Sequence, residues 1–289
     1  MGGAGHLTDM ARTQNIAKLL SHIAACHTAT LPGARLPFYL GTSHVGYVPP
    51  DFAQTLADIS TSISLENDHV VLAADAAGRL NDIAIESGIL PRGEDFDVKE
   101  TAESPALTVL DRGALPGFGV IGVGAHLNGL VSRPDGYHLW VGKRAADKKL
   151  DPGKLDHLVA GGVPAGLTPL ETLIKEAAEE AALPEHLAAQ AKQVGRFVYN
   201  LERPEGLRRD VIYAYDLILP DSFTPQPVDG EVEYFELWPL DRVFEAVATT
   251  DNFKFNVNLV LIDLFIRQNM ITGADAATLR QALQGPKPA

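Results

Sequence analysis

A single cysteine, Cys26, leaves this 289-residue chain with no means of forming an internal disulfide, and that scarcity suits a reducing compartment. No apolar run approaches the roughly 18 residues that a membrane span needs, so none is expected. The N-terminus lacks a basic segment followed by an apolar stretch, so no secretory signal is read there. MGGAGH begins like a myristoylation site but has His6 where Ser or Thr is wanted. Cytoplasm is therefore the expected location. Positive charge is also short: 24 Lys and Arg against 37 Asp and Glu give a net charge of −13. That balance argues against nucleic acid and against an anionic membrane as partners. An anionic small molecule would have to be drawn by local cations or a metal. There is no internal repeat and no low-complexity tract.

What is present suits a two-part globular chain. Apolar residues make up 46% and charged residues 21%, ordinary values, and the length exceeds that of most single cores. Residues 1–117 read as a small α+β domain with no evident chemistry. Its expected elements, from Thr8 to about Leu115, are a helix ending at Cys26, short strands at Phe38–Leu40 and Val45–Val48, and a helix from Asp51 to about Ser60. A strand at Val70–Ala73 and a helix over Ala76–Ser87 complete it. Ile16, Leu19, Leu20, Ile23 and Ala24 give the first helix one apolar face, with Cys26 at its end as a buried thiol. The run Arg112-Gly-Ala-Leu-Pro-Gly117 reads as a connection.

Residues 118–270 form the second part. Val120–Val131 and Tyr137–Gly142 flank a Pro134-Asp135-Gly136 turn and predict a hairpin. Strand patterns recur at Val194–Asn200, Val211–Leu219 and Glu231–Trp238, and helices are expected at Asp241–Ala248 and Asn256–Gln268. Strands with helices on both sides predict an α/β/α sandwich around a mixed sheet. Residues 271–289 are read as a short C-terminal helix and tail.

The most informative stretch is Gly161–Leu183, GGVPAGLTPLETLIKEAAEEAAL. Thr168 is a good N-cap, Pro169 suits the first helical position, and Glu171 completes a T-x-x-E capping box. Leu170, Leu173, Ile174, Ala177 and Ala181 repeat at helical spacing and form an apolar stripe. Glu176, Glu179 and Glu180, at i, i+3 and i+4, share a different face. Three carboxylates so placed repel one another unless a multivalent cation sits among them. Mg²⁺ is the natural candidate, being hard and oxygen-seeking, with Mn²⁺ a substitute. The competing reading is a solvated acidic face held by i, i+4 ion pairs with Lys175.

This segment resembles the Nudix box, G-x5-E-x7-R-E-U-x-E-E-x-G-U, where U is bulky and aliphatic. Counting from Gly161 finds Lys175 at the arginine, then Glu176, Glu179 and Glu180, with the E-x-x-E-E core intact. Three positions depart: Leu167 replaces the first glutamate, Lys175 the arginine and Ala182 the glycine. The glycine can also be counted as Gly162, which leaves open whether the Ala160 or the Gly161 carbonyl reaches the metal. The segments RAADKKLDPGKLDHLVAGG, RFVYN, YAYDLILP, DGEVEYFELWPL and FKFN further resemble one Nudix branch with an extra N-terminal domain. In fungi that branch is fused in front of thiamine pyrophosphokinase, and its members are associated with hydrolysing diphosphates of damaged thiamine to monophosphates.

The resemblance implies an Mg²⁺-dependent hydrolase of a small diphosphate. Gly161, Glu176, Glu179 and Glu180 would serve the metal, and Glu180 is the first candidate for general base. Glu231 is the second, as base or further ligand, against the reading that it is a solvated loop charge. Lys175 would orient a glutamate, without the bidentate fork of an arginine. Arg144 and Lys148 are the substrate cations first considered, with Arg208 and Arg209 behind them. Tyr199, Trp140 and Phe253 are the aromatics able to stack on a ring, though each is more often core. An ADP-ribose or nucleoside diphosphate pyrophosphatase is the alternative substrate class. An isopentenyl diphosphate isomerase would need a cysteine at the site, and Cys26 lies in the other part. A non-catalytic ligand-binding module is the third reading, and a homodimer is left open.

Overall fold

The computed structural model describes residues 3–285. Helix α1 (Gly3–Ala25) leads into β1 (Leu36–Leu40), β2 (Ser43–Val48), α2 (Pro50–Ile59), β3 (Ile63–Leu65) and β4 (Val70–Leu72). A 3₁₀ turn at Ala74–Arg79 precedes α3 (Leu80–Glu86). The strands make a small sheet in the order β2-β1-β4-β3, with β1 and β4 parallel. Alternate residues Phe38, Leu40, Val45, Val48, Val70 and Leu72 point into one core with Ala53 and Leu56 of α2 and Leu80 and Ile83 of α3. A separate antiparallel ribbon, β5 (Asp95–Val98) and β6 (Thr108–Asp111), projects from this unit, and α4 (Leu115–Phe118) closes it. The sequence pattern missed β3, β5 and β6. Each is only three or four residues long, too short to display a period.

The second unit is the expected three-layer sandwich. Its hairpin is β7 (Ile121–Arg133) and β8 (Gly136–Arg144), followed by the short β9 (Leu155–Asp156) and β10 (Val159–Gly162). Helices α5 (Pro169–Ala181) and α6 (Glu185–Ala188) come next, then β11 (Lys192–Arg203), β12 (Gly206–Leu219), β13 (Val232–Pro239), α7 (Leu240–Thr249) and α8 (Val257–Arg267). The main sheet runs β11-β12-β7-β8-β13, with β10 on β7 and β9 on β8. It is mixed because β12 lies parallel to β7 while the other pairs are antiparallel. One face buries Ala125, Leu127, Tyr215 and Leu217 beneath α5, and the other buries Phe197, Ile212 and Ala214 beneath α8.

The chain ends do not follow the division read from sequence. Leu19 and Ile23 of α1, and Cys26 just after it, pack into the core formed by α7, α8 and β11, not into the N-terminal unit. Ala276, Leu279 and Leu283 of α9 (Gly273–Leu283) enter the same core. The reason lies in α8, which is buried nearly all round from Val257 to Ile266 and therefore needs apolar partners on its outer side. Cys26 is the expected buried thiol, and burial pushes it up to about 12. Ala24, assigned to the apolar face of α1, is exposed. Among the described residues, no helix is long and apolar enough to cross a membrane.

Candidate active site

The position of α5 is fixed at both ends and along one side. Thr168 Oγ1 accepts from the Glu171 N–H at 3.2 Å, and the Glu171 carboxylate accepts from the Thr168 N–H at 2.8 Å, a reciprocal capping box. Leu173, Ala177 and Ala181 are fully buried against β7 and β10. Helical geometry then carries Glu176 and Glu180 to the edge of β10, with Glu179 further out. Gly161 receives Glu176: a Cβ there would lie 2.8 Å from the Glu176 carboxyl carbon. Gly162 receives Phe96 of β5, whose ring would be 2.6 Å from an added Cβ. Both glycines of the doublet are therefore required by close approach, each on a different face of the strand.

The three glutamates differ in setting. Glu180 is buried and accepts one hydrogen bond, from the Ala160 N–H at 3.2 Å. Burial first, and then the charges of Glu176 and Asp156, push its carboxyl up to about 8. Glu176 is half-buried and also raised, mainly by desolvation. Glu179 is half exposed and pairs with Lys175 at 2.9 Å, and the same ammonium lies 3.5 Å from Glu176. Lys175 thus bridges two of the glutamates, and its own pKa is raised, chiefly by the bond to Glu179. Backbone direction bears on the carbonyl left open by the sequence. Ala160 turns its N–H toward Glu180, so its carbonyl, on the same edge of the strand, faces that way too. The Gly161 carbonyl faces β7, 3.3 Å from where a Cβ on Gly124 would stand. The Gly161 carbonyl, named from sequence for the metal, therefore points away from the α5 carboxylates, and the Ala160 carbonyl points toward them.

Glu231 and Lys148 form an ion pair at the start of β13, and the Glu231 charge is among those raising Glu180. Arg144 is elsewhere committed. Its guanidinium bonds the buried Asp156 at 2.7 Å and the carbonyls of Leu150 and Asp151, and Arg144 is itself mostly covered. It holds the loop between β8 and β9 and is not free for a substrate. Spacing alone could not separate Arg144 from Lys148, because the distinction lies in Asp156, 12 residues on.

Asp156 anchors a buried cluster that the sequence did not reveal. Lys254 lies 3.4 Å from it, and His157 and His126 share a hydrogen bond at 3.1 Å between their Nδ1 atoms. Arg144 and Lys254 hold the Asp156 carboxyl far below its usual range against the desolvation that opposes them. Burial drives His157 down to about 4 and His126 well below normal, so both rings are neutral. His126, Asp156 and His157 have the ligand types for a metal, with ligand atoms within 4.8 Å of one another. Two cations already crowd Asp156, and the histidines share a single hydrogen bond that leaves His157 Nε2 buried without a partner.

On the α8 face of the sheet a cavity of about 110 Å³ opens beside Ala160, Gly161 and Gly162. Its floor carries almost no side chains: Gly122 and Gly124 of β7, and Ala160 and Gly162 of β10. Arg208, Asp210, Tyr199, His126 and Lys254 wall one side, and Arg92, Phe96 and Arg112 of the N-terminal unit wall the other. The Tyr199 hydroxyl donates to Asp210 at 2.5 Å, and Arg208 pairs with the same carboxylate. Of the three aromatics named from sequence, only Tyr199 reaches this cavity, whereas Trp140 and Phe253 are buried in the two cores.

The NUDIX domain family model matches residues 126–258. Nudix hydrolase 24, chloroplastic, of Arabidopsis thaliana is 38% identical over 83% of this chain and 69% of its own length. The chain belongs to the Nudix hydrolase family. Nudix hydrolase 20, chloroplastic, of the same plant is 39% identical over 77% of this chain, which spans 59% of that relative. Among solved structures, the MutT protein from Methanosarcina mazei Go1 aligns over 52% of this chain and 96% of its own at 13% identity, with a TM-score of 0.40.

The departures from the Nudix pattern have local explanations. Leu167, where a glutamate is usual, is half-buried and packs against the core under α5. Ala182, where a glycine is usual, caps α5 at φ 52°, a left-handed conformation that costs a residue with a Cβ. Lys254 and Phe253 lie in the FKFN segment, yet nothing in that segment pointed to Lys254 as the partner of Asp156.

Proposed function

We propose that this Nudix hydrolase cleaves the diphosphate bond of a small organic diphosphate, using Mg²⁺ with Mn²⁺ as a substitute. The observation that carries the reading is the convergence of Glu176 and Glu180 on the Ala160–Gly161 backbone, at the rim of a cation-walled pocket. The donors are hard oxygens, which suits Mg²⁺. Glu180, buried among like charges, is a site where a cation removes a cost that the folded chain otherwise carries. Glu176, Glu179, Glu180 and the Ala160 carbonyl would hold the ion. When bound, the metal offsets charge on phosphoryl oxygens and lowers the pKa of water. Glu180, or Glu231 steadied by Lys148, accepts the proton of the attacking water. Lys175 keeps Glu179 and Glu176 in place. Lys254, Arg208 and Arg92 offer positive charge to the phosphates.

Within this class we infer damaged forms of thiamine diphosphate as substrates, released as monophosphate and phosphate. Two things support that reading. One is the resemblance of the segments around the box to the branch linked to thiamine pyrophosphokinase. The other is the charge of the pocket: an intact thiazolium carries a fixed positive charge that Lys254 and the neighbouring arginines repel, and an oxidised ring has lost it. A screen of purified protein over thiamine diphosphate, its oxo- and oxy-forms, ADP-ribose, nucleotide sugars and dNTPs tests this. The oxo-form, whose thiazole ring has lost that charge, should show at least about tenfold higher kcat/KM than thiamine diphosphate, a difference of only ~1.4 kcal/mol. Faster turnover of ADP-ribose or a dNTP than of every thiamine derivative refutes the substrate. Glu179→Gln and Glu180→Gln should each lower kcat by about 10²-fold or more with the fold intact. Near-normal turnover of both refutes the metal site.

A further inference from the structure

We propose that the N-terminal α+β unit is the substrate-selecting half of the active site, with Arg92 and Phe96 holding the organic monophosphate portion of the diphosphate. The inference rests on the hydrolase reading for its ligand class, and the geometry carries the rest.

The β5–β6 ribbon is fastened to the loop that leads into α5. The Ala165 N–H donates to the Asp95 carbonyl at 2.8 Å, and the Gly166 N–H donates to Asp97 Oδ1 at 3.2 Å. Between these bonds Phe96, 4% exposed, lies on Gly162 where no side chain intervenes. The ribbon is also within electrostatic reach of the carboxylates on α5, since the Glu94 charge is felt at Glu176. A second fastening joins the units at β12. Arg209 donates to the carbonyls of Gly119 at 3.0 Å and Val45 at 3.3 Å, with its guanidinium 4.8 Å from the Tyr47 ring. The cavity is therefore not a gap between loosely apposed bodies. It has one wall from each unit, and its N-terminal wall is tied to the Nudix loop.

Its charges make it an anion site in an acidic chain. Asp210 and the lining carboxylate Glu205 both face Arg208, and Glu94 matches Arg112. Asp156, by contrast, faces both Arg144 and Lys254, leaving a buried cation in surplus at the pocket wall. Arg209 is half-buried with carbonyls and a ring for company, not a carboxylate. Arg92 is exposed at the mouth, and no carboxylate among the described residues pairs with it. The Arg112 guanidinium lies over the buried Phe96 ring, 5.8 Å from its centre, so that ring props a second guanidinium beside Arg92, and two planar forks at one mouth fit a phosphate joined to a planar organic group. The phosphoryl group being cleaved would lie beyond it, toward Glu176 and Glu180.

Organic monophosphates test this without turnover, because they are the product half and cannot be hydrolysed at an anhydride. The full chain is titrated calorimetrically with thiamine monophosphate, AMP and inorganic phosphate, then compared with Arg92→Ala, Arg92→Lys and Phe96→Leu. At least one organic monophosphate should bind about tenfold more tightly than inorganic phosphate. Arg92→Ala should weaken that binding about tenfold, Arg92→Lys less, and Phe96→Leu should narrow the gap to inorganic phosphate. In turnover with the best diphosphate, Arg92→Ala should raise KM about tenfold and leave kcat within about threefold. Arg92 is exposed, so its variants report even if Phe96→Leu fails to fold. Binding of organic monophosphates no tighter than inorganic phosphate overturns the proposal, as does unchanged binding in Arg92→Ala. Loss of binding in that variant, with no diphosphate hydrolysed by the parent, upholds this role and refutes the hydrolase reading instead.

Discussion

Replacing Glu180 by Gln should make the metal-free protein more stable at alkaline pH, by an amount that can be worked from its surroundings. The buried carboxyl titrates at about 8 in the fold and near 4.5 in an unfolded chain. Between those values the native state keeps a proton that the unfolded chain has released, so stability falls as pH rises from about 4.5 to about 8 and levels off above. At about 1.4 kcal/mol for each pH unit, the whole span amounts to about 5 kcal/mol, and the interval from pH 6 to 8 to roughly 2 kcal/mol, because the slope is already halved at the folded value. Glutamine has nearly the same shape and cannot ionise, so the variant should lose this slope. Urea unfolding in EDTA, followed by circular dichroism at pH 6 and 8, reads the difference directly. Added Mg²⁺ should restore stability to the parent at pH 8 and do much less for the variant, since an ion that binds only the folded state stabilises it. Parallel pH dependence of the two proteins in EDTA would refute the account of Glu180, and equal stabilisation by Mg²⁺ would refute its part in the metal site.

Three further outcomes are expected. Arg144→Ala should destabilise the protein by about 3 kcal/mol by stripping a buried carboxylate of its best partner, with KM little changed in the folded fraction. A large rise in KM at unchanged stability would return Arg144 to the substrate. Ala182→Gly should raise the unfolding midpoint, worth about 1 kcal/mol, because the left-handed cap suits glycine, and a fall would refute that reading. Glu231→Gln should lower kcat, and its Mg²⁺ affinity decides the role: unchanged affinity marks a base and weakened affinity a ligand, whereas an unaltered enzyme removes Glu231 from the site.

What was legible in the sequence was local. The α5 cap, its apolar stripe and its carboxylate face follow from residues within one or two turns of each other, so period and capping chemistry sufficed. The long strands of the sandwich were legible for the same reason. The Asp156 cluster was not, because Arg144, His157 and Lys254 meet only through the pairing of β8 with β9 and the bridge from Leu155 to Phe253. The strand pattern of β10 was masked by its two glycines, which weaken strand propensity and yet are what the packing of Glu176 and Phe96 demands. The partner of α1 was hidden too. Its apolar face announced that something would cover it, but not that α7, α8 and α9 would.

The bare floor of the pocket divides the site into parts that can change and parts that cannot. A Cβ on Gly122 would strike Asp210 at 2.7 Å, and one on Gly162 would strike Phe96. A side chain at either position would force Asp210 or Phe96 to move, whatever the ligand. Arg92, Arg112 and Arg208 stand on the walls with room beside them, and Arg92 and Arg112 are exposed. New specificities in this lineage should therefore arise by exchanging wall residues of the N-terminal ribbon and β12 over a constant backbone surface. Chemistry and selectivity can then evolve under separate constraints within a single cleft.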